Sequence, residues 1–348
     1  MKFSRAILFL FFSLITVSCS LLNNDEKVKT VQAIDYRSDL QSEKFYYNNV
    51  SLLNPADIVN VADKYLVISD SDSEGFIKVF KLPEMDFLYS WGMQGQGPNE
   101  FEFIPLNEIN TEGDNIIFYE FGTRVLREYV VSDTSLVLLE EASLSFDGQT
   151  HTLTGITKVK EDLYIAENGA SFDNDTYELI ALEPDVDQPL FYFGQFPETK
   201  LTGFEKLYEY LKTTGVSIDG SKIAATYLYH NKIKIFENDG NLLSEFVVND
   251  SDSPNSGEGL SYQYRSVKKA TDSNLYFMGM FEYEQTINEN IETFKTTFEI
   301  WDWSGNQIHR AKFDRPIHNF TVSEKHGKIY AYSVLDMQNI YVFDLPDF

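Results

Sequence analysis

Two polar stretches in the first third of the chain carry the residue types best suited to holding a ligand. In Asp70-Ser71-Asp72-Ser73-Glu74-Gly75, carboxylates recur at alternate positions and a glycine permits a sharp turn. That is how a loop wraps a hard cation such as calcium. Continuing the count, Lys78 stands where another ligand oxygen would help, and Lys81 stands where a closing glutamate belongs. Two ammonium groups in place of two ligands favour a solvated acidic hairpin, so no cofactor is expected and calcium is the one ion the pattern admits. The second stretch is Gly95-Gln96-Gly97-Pro98-Asn99-Glu100-Phe101. Its glycines let the backbone turn, Pro98 fixes the exit, and Phe101 can plug an apolar neighbour. Glu100 can accept hydrogen bonds from loop N–H groups. The same loop could instead present Gln96, Asn99 and Glu100 to a ligand, as Asp70, Asp72 and Glu74 could in the first. A phosphate cradle is excluded, because neither a helix nor Lys-Ser/Thr follows the glycines.

Catalytic chemistry has less to work with. The five histidines, His151, His230, His309, His318 and His326, lack metal-ligand spacing, and no Gly-x-Ser-x-Gly elbow occurs. No metal ligands or catalytic residues are assigned. Carboxylates are plentiful, but nothing in their spacing selects an acid/base pair. Asn107, Glu108, Asn168 and Asp219 are the residues that could gather around a central calcium, as lactonases on a ring of sheets do.

The elements that position these loops repeat. Short apolar strands are anchored at Tyr65, Ile116, Leu163, Ile223, Leu275 and Ile329, each after a turn-type polar or charged residue. Their spacing is roughly fifty residues, and a strand-only repeat of that length is one propeller blade. A second strand follows in every unit, as in Ile77-Lys78-Val79-Phe80 and Phe298-Glu299-Ile300-Trp301. Turn residues recur at one phase, as in Asn238-Asp239-Gly240 and Trp303-Ser304-Gly305. An antiparallel sandwich has no reason to repeat strand order, turn position and length together. The reading is an all-β, six-bladed β-propeller with four-stranded blades. The last unit stops short of an outer strand, so an N-terminal strand, from Val31–Tyr36 or Phe45–Val50, is expected to close the last blade and hide sheet edges. Two further features lie outside the strands. Phe204, Leu207, Tyr208 and Leu211 have helical spacing, and Phe281–Lys295 is a long insertion that could wall a groove as a projecting hairpin.

The chain opens on a basic Met1-Lys2-Phe3-Ser4-Arg5, then an apolar run to Ile15 that is too short to span a bilayer. Thr16-Val17-Ser18-Cys19 follows, with the only cysteine of the sequence. These residues resemble the lipobox of bacterial lipoproteins, although Thr16 replaces the usual aliphatic residue. The resemblance implies acylation of Cys19 and stable membrane attachment through more than one chain. An ordinary secretory signal is the alternative. The resulting organisation is a leader over 1–18, a lipidated cysteine and polar tether over 19–30, and the propeller over 31–348. Formal net charge is −26, which repels phosphate backbones, so nucleic acid is not an expected partner.

The Gly95–Phe101 string, after Tyr89-Ser90-Trp91-Gly92, resembles the inter-blade motif of TolB-like six-bladed propeller lipoproteins of Bacteroidota, and more distantly NHL-type propellers. The resemblance implies a lipid-anchored envelope protein, in the outer membrane, and carries over no catalytic residues. The expected function is a non-catalytic binding or scaffolding module for a peptide, glycan or envelope protein. The alternative is a calcium-dependent lactonase or polysaccharide lyase on the same ring.

Overall fold

A computed structural model describes residues 28–45, 52–70, 75–95, 97, 100–101, 109–120, 122–144, 153–168, 176–250 and 262–348. Two strands precede the repeats: β1 (Val28–Gln32) and β2 (Ser42–Phe45). Blade 1 is β3 (Pro55–Val61), β4 (Tyr65–Asp70), β5 (Ile77–Lys81) and β6 (Asp86–Trp91). A two-residue parallel pair follows, β7 (Met93–Gln94) with β8 (Glu100–Phe101). Blade 2 is β9 (Asn110–Glu112), β10 (Asn115–Glu120), β11 (Val125–Val131) and β12 (Leu136–Ser143). Blade 3 is β13 (Thr154–Lys160), β14 (Leu163–Glu167), β15 (Tyr177–Leu182) and β16 (Phe191–Gln195), followed by helix α1 (Gly203–Glu209). Blade 4 is β17 (Lys212–Val216), β18 (Lys222–Tyr227), β19 (Lys232–Glu237) and β20 (Leu242–Asn249). Blade 5 is β21 (Tyr262–Ala270), β22 (Asn274–Tyr283), β23 (Thr297–Asp302) and β24 (Gln307–Lys312), with helix α2 (Glu284–Glu289) between its second and third strands. Blade 6 is β25 (Ile317–Ser323), β26 (Lys328–Ser333) and β27 (Asp336–Asp344), completed by β2.

The first strand of each blade touches the first strands of both neighbours, and β25 returns to β3. The ring is therefore closed. Its core is divided accordingly. Among the described residues there are six separate apolar clusters, one at each junction between blades, including the junction of blade 6 with blade 1. Each interior sheet face is covered by the next blade, so the second strands are apolar on both sides; β4 is buried at all six positions. The fourth-strand turns explain the repeated glycine. Gly305 has φ +84, and a Cβ there would lie 2.2 Å from the Phe246 ring of the neighbouring blade. Only glycine permits both that backbone and that approach.

The N-terminus does more than close one blade. β1 pairs in parallel with β20 as a fifth strand of blade 4. The chain then follows the edge of blade 5, where Arg37 and Leu40 donate N–H groups to Arg310 and Lys312 carbonyls, each at 2.8 Å. It ends as β2, antiparallel to β27. The closing strand overlaps the expected Phe45–Val50 only at Phe45, and residues 46–50 lie outside the described residues. The other expected segment, Val31–Tyr36, serves blades 4 and 5 instead of blade 6. Pairing from Val28 also brings three residues of the expected tether into the sheet.

Candidate functional site

The loops joining second to third strands, and those joining one blade to the next, share one face of the ring. Asp70 ends β4 on this face, buried, with its carboxylate accepting the N–H groups of Leu53 and Asn54 at 2.6–3.1 Å. Its oxygens hold the approach to β3 in place. Lys78 is also buried, and its ammonium donates to the Gly75 carbonyl at 2.8 Å. The chain thus supplies its own cation at the base of the hairpin. Asp72 and Glu74 lie outside the described residues.

In the second motif, Glu100 Oε2 accepts the Gly97 N–H at 2.7 Å, and a Cβ on Gly95 would sit 2.0 Å from that same oxygen. Phe101 is fully buried between blades 1 and 2, edge-on to Phe76 at 5.1 Å and to Trp91 at 5.8 Å. Glu100 is spent on its own loop and Phe101 on the junction between the blades. Gln96, Asn99 and Cys19 fall outside the described residues, as do Asn107 and Glu108. Asn168 and Asp219 do not meet. Asn168 follows β14 on the loop face, donating to the Tyr177 carbonyl at 2.7 Å, whereas Asp219 sits in the β17–β18 turn at the opposite end. Among the described residues, no group of three or more His, Cys, Asp or Glu side chains is placed to share a metal ion.

Buried charge replaces apolar packing where the third strands approach this face. Arg127 pairs with Glu120 at 2.7 Å, and Lys234 with Glu178 at 2.7 Å, while Glu178 also accepts from Tyr227. In blade 5, Glu299 receives Arg265 at 2.6 Å, Arg310 at 3.2 Å and the Trp301 indole at 2.9 Å. The Phe281 ring lies between the two guanidiniums, 4.6 Å from Arg265 and 5.0 Å from Arg310, and Tyr36 stacks on Arg310 at 4.1 Å. Buried charges need such saturation.

Beside this base a group of tyrosines gathers from α1, the β18–β19 loop and the ends of β21 and β22, with Tyr210, Tyr262 and Tyr264 buried and Tyr208 exposed. Tyr208 of α1 is 47% exposed, its ring 5.3 Å from that of Tyr229, with the hydroxyls 3.1 Å apart. Beneath them Tyr210 stacks on His230 at 4.9 Å and packs on Phe196 at 5.6 Å. Tyr262 sits edge-on to both Tyr264 at 4.8 Å and Tyr283 at 5.2 Å. The Tyr264 N–H donates to the Leu228 carbonyl at 2.8 Å, joining the two groups across blades 4 and 5. Glu209 of α1 lies 3.1 Å from His230 and Glu284 of α2 acts on the Tyr229 phenol, with Glu205 and Glu289 on the same two helices. Burial and the Tyr208 hydroxyl raise the Tyr229 phenol above its ordinary range, so it stays a neutral donor. Tyr208 lies in the segment expected to be helical, and Tyr283 in the insertion, which forms a short helix instead of a hairpin. Tyr229 and Tyr262 carried no sequence signal beyond their residue type.

No family model matches the chain, and no curated protein is recognisably similar to it in sequence. Solved structures are similar in fold. A protein from Bacteroides fragilis, provisionally named an exported protein, superposes with a TM-score of 0.57 at 13% identity, covering 91% of this chain and 98% of that one. A member of the DUF4221 family from Bacteroides vulgatus gives the same TM-score at 8% identity, covering 88% and 98%. At these identities the likeness is one of fold: the chain is a six-bladed β-propeller.

Proposed function

We propose that this protein is a non-catalytic binding module of the cell envelope, TolB-like in type, anchored by an acylated Cys19 and held outside the cytoplasm. The observation that carries the binding reading is the tyrosine shelf on blades 4 and 5. Tyrosine gives rigid contact area at small entropic cost and keeps a polar tip for hydrogen bonding. The carboxylates of α1 and α2 select a neutral or basic partner, and the overall charge of −26 acts in the same direction. A peptide segment of an envelope protein suits these features best. The leader and Cys19 support the anchor, and the exported name of a structural relative agrees with it.

The test compares wild type with Tyr208→Ala/Tyr229→Ala, both expressed with their own leader. Wild type should sediment with membranes through Cys19 and retain a partner from envelope extract that the double variant loses by at least tenfold. A partner held equally by both proteins, or capture of glycan alone, overturns the peptide-binding reading. Unchanged membrane sedimentation of Cys19→Ser overturns the anchor separately.

A further inference from the structure

A cavity of about 140 Å³ lies on the axis of the ring, lined by residues of all six first strands. By the volume water occupies in the liquid, it holds roughly four or five molecules. Its lining is unlike the outside of the protein. Thr111, Thr157, Thr214 and Thr321 line it, the Thr157 and Thr214 hydroxyls 2.8 Å from each other, and Lys268 and Lys269 of β21 line it as well. The ladder shifts between Val267 and Lys269, so β21 is irregular where two consecutive lysines reach the same cavity. Lys158 also lines it, but is engaged by Glu112 and by Glu128 at 3.0 Å. Neither the Lys268 nor the Lys269 side chain makes a hydrogen bond or ion pair with any described residue.

The carboxylates nearest these lysines are occupied elsewhere. Asp57 accepts the Ile58 and Ile109 N–H groups, both at 2.8 Å, and the Asn319 amide at 3.0 Å. Asp63 accepts from Asn60 and Ser323, each at 2.6 Å. Glu324 accepts from Thr271, Asn274 and Tyr276 at 2.6–3.1 Å. All three are held by neutral donors, and none reaches an ammonium. The two lysines are half-buried, and desolvation, only partly offset by these carboxylates, lowers both below the ordinary lysine range. A cation in such a place either gives up its proton or takes a counter-ion from solution.

We propose that the axial cavity binds a small oxyanion of the phosphate or sulfate class, held by Lys268 and Lys269 with the threonine hydroxyls of the inner strands. The site is separate from the tyrosine shelf and does not depend on that reading. The acidic exterior does not forbid it, since exposed charges are largely screened beyond about 8 Å at physiological ionic strength. A half-buried ammonium inside the channel is screened less than an exposed one.

Inorganic phosphate, and sulfate in parallel, would be titrated calorimetrically into the full chain at constant ionic strength. Saturable binding at one site is expected, weakened at least tenfold by Lys268→Met or Lys269→Met and lost in the double variant. Without added anion the double variant should melt at or above wild type, because two uncompensated cations have been removed. No saturable binding of either anion overturns the proposal, as does binding unchanged in the double variant. A double variant melting well below wild type also overturns it, since the lysines would then have a structural partner.

Discussion

Glu100 and Phe101 are neighbours with opposite tasks, one closing the loop that carries it and the other leaving that loop for the core. The Phe101 ring meets Phe76, Trp91, Phe118 and Tyr129 at centroid distances of 5.1–6.4 Å. Truncating it would leave a cavity at the junction of blades 1 and 2, so Phe101→Ala should cost about 3–5 kcal/mol. Urea unfolding followed by the fluorescence of Trp91, Trp301 and Trp303 measures this; a loss under about 1 kcal/mol would mean the junction does not rely on the ring. These two roles were legible because glycines and a proline surround them and fix what the loop must do. Asp70 was not legible in the same way. Its spacing with Asp72 and Glu74 suggests a ligand, yet its actual partners are backbone N–H groups of Leu53 and Asn54, outside the motif. Local spacing does not reveal a partner from another stretch of chain.

Strands with both faces buried announce themselves, and those with one face in the channel or on the rim do not. β4, β14, β18, β22 and β26 read as apolar runs because the next blade covers each side. β17 (Lys212-Thr213-Thr214-Gly215-Val216) and β9 (Asn110-Thr111-Glu112) line the axial cavity and look like loops. The channel lysines and the parallel strand β1 escaped notice for this reason. β1 and β2 bracket a strap with three anchors: Tyr36 on Arg310, buried Leu40 against Phe313, and half-buried Phe45 packed at the junction of blades 6 and 1. A chain starting at Ala33 loses only the exposed β1 and should stay folded, its melting temperature lowered by a few degrees. A chain starting after Phe45 leaves blade 6 with three strands and an open edge, and should lose cooperative melting. Scanning calorimetry of both truncations checks this, and equal behaviour would refute a graded strap.

The whole molecule sets an acidic exterior around cationic interior sites, and its response to acid follows from that arrangement. Burial comes first in depressing His309 and His318 below 6.5, with Arg37 beside His309 and Lys268 beside His318 adding to it. His230 is lowered in the same direction, again mainly by burial, against the pull of Glu209. In each case the unfolded chain takes up the proton first. The folded state is therefore favoured above pH 6.5, and that contribution is lost as pH falls from there toward the folded values. Asp57 opposes the trend: burial raises its carboxyl, so the unfolded chain releases that proton first and acidification favours the folded form. The histidine share is best read as a difference. His309→Gln/His318→Gln removes two titrating rings while leaving Asp57 and the acidic surface in place. Wild type should lose melting temperature more steeply than this variant between pH 7 and pH 5, with the two curves parallel above pH 7.5. Curves parallel throughout would mean that the imidazoles accept protons in the fold as easily as in water, and that Arg37 and Lys268 exert no field at these positions.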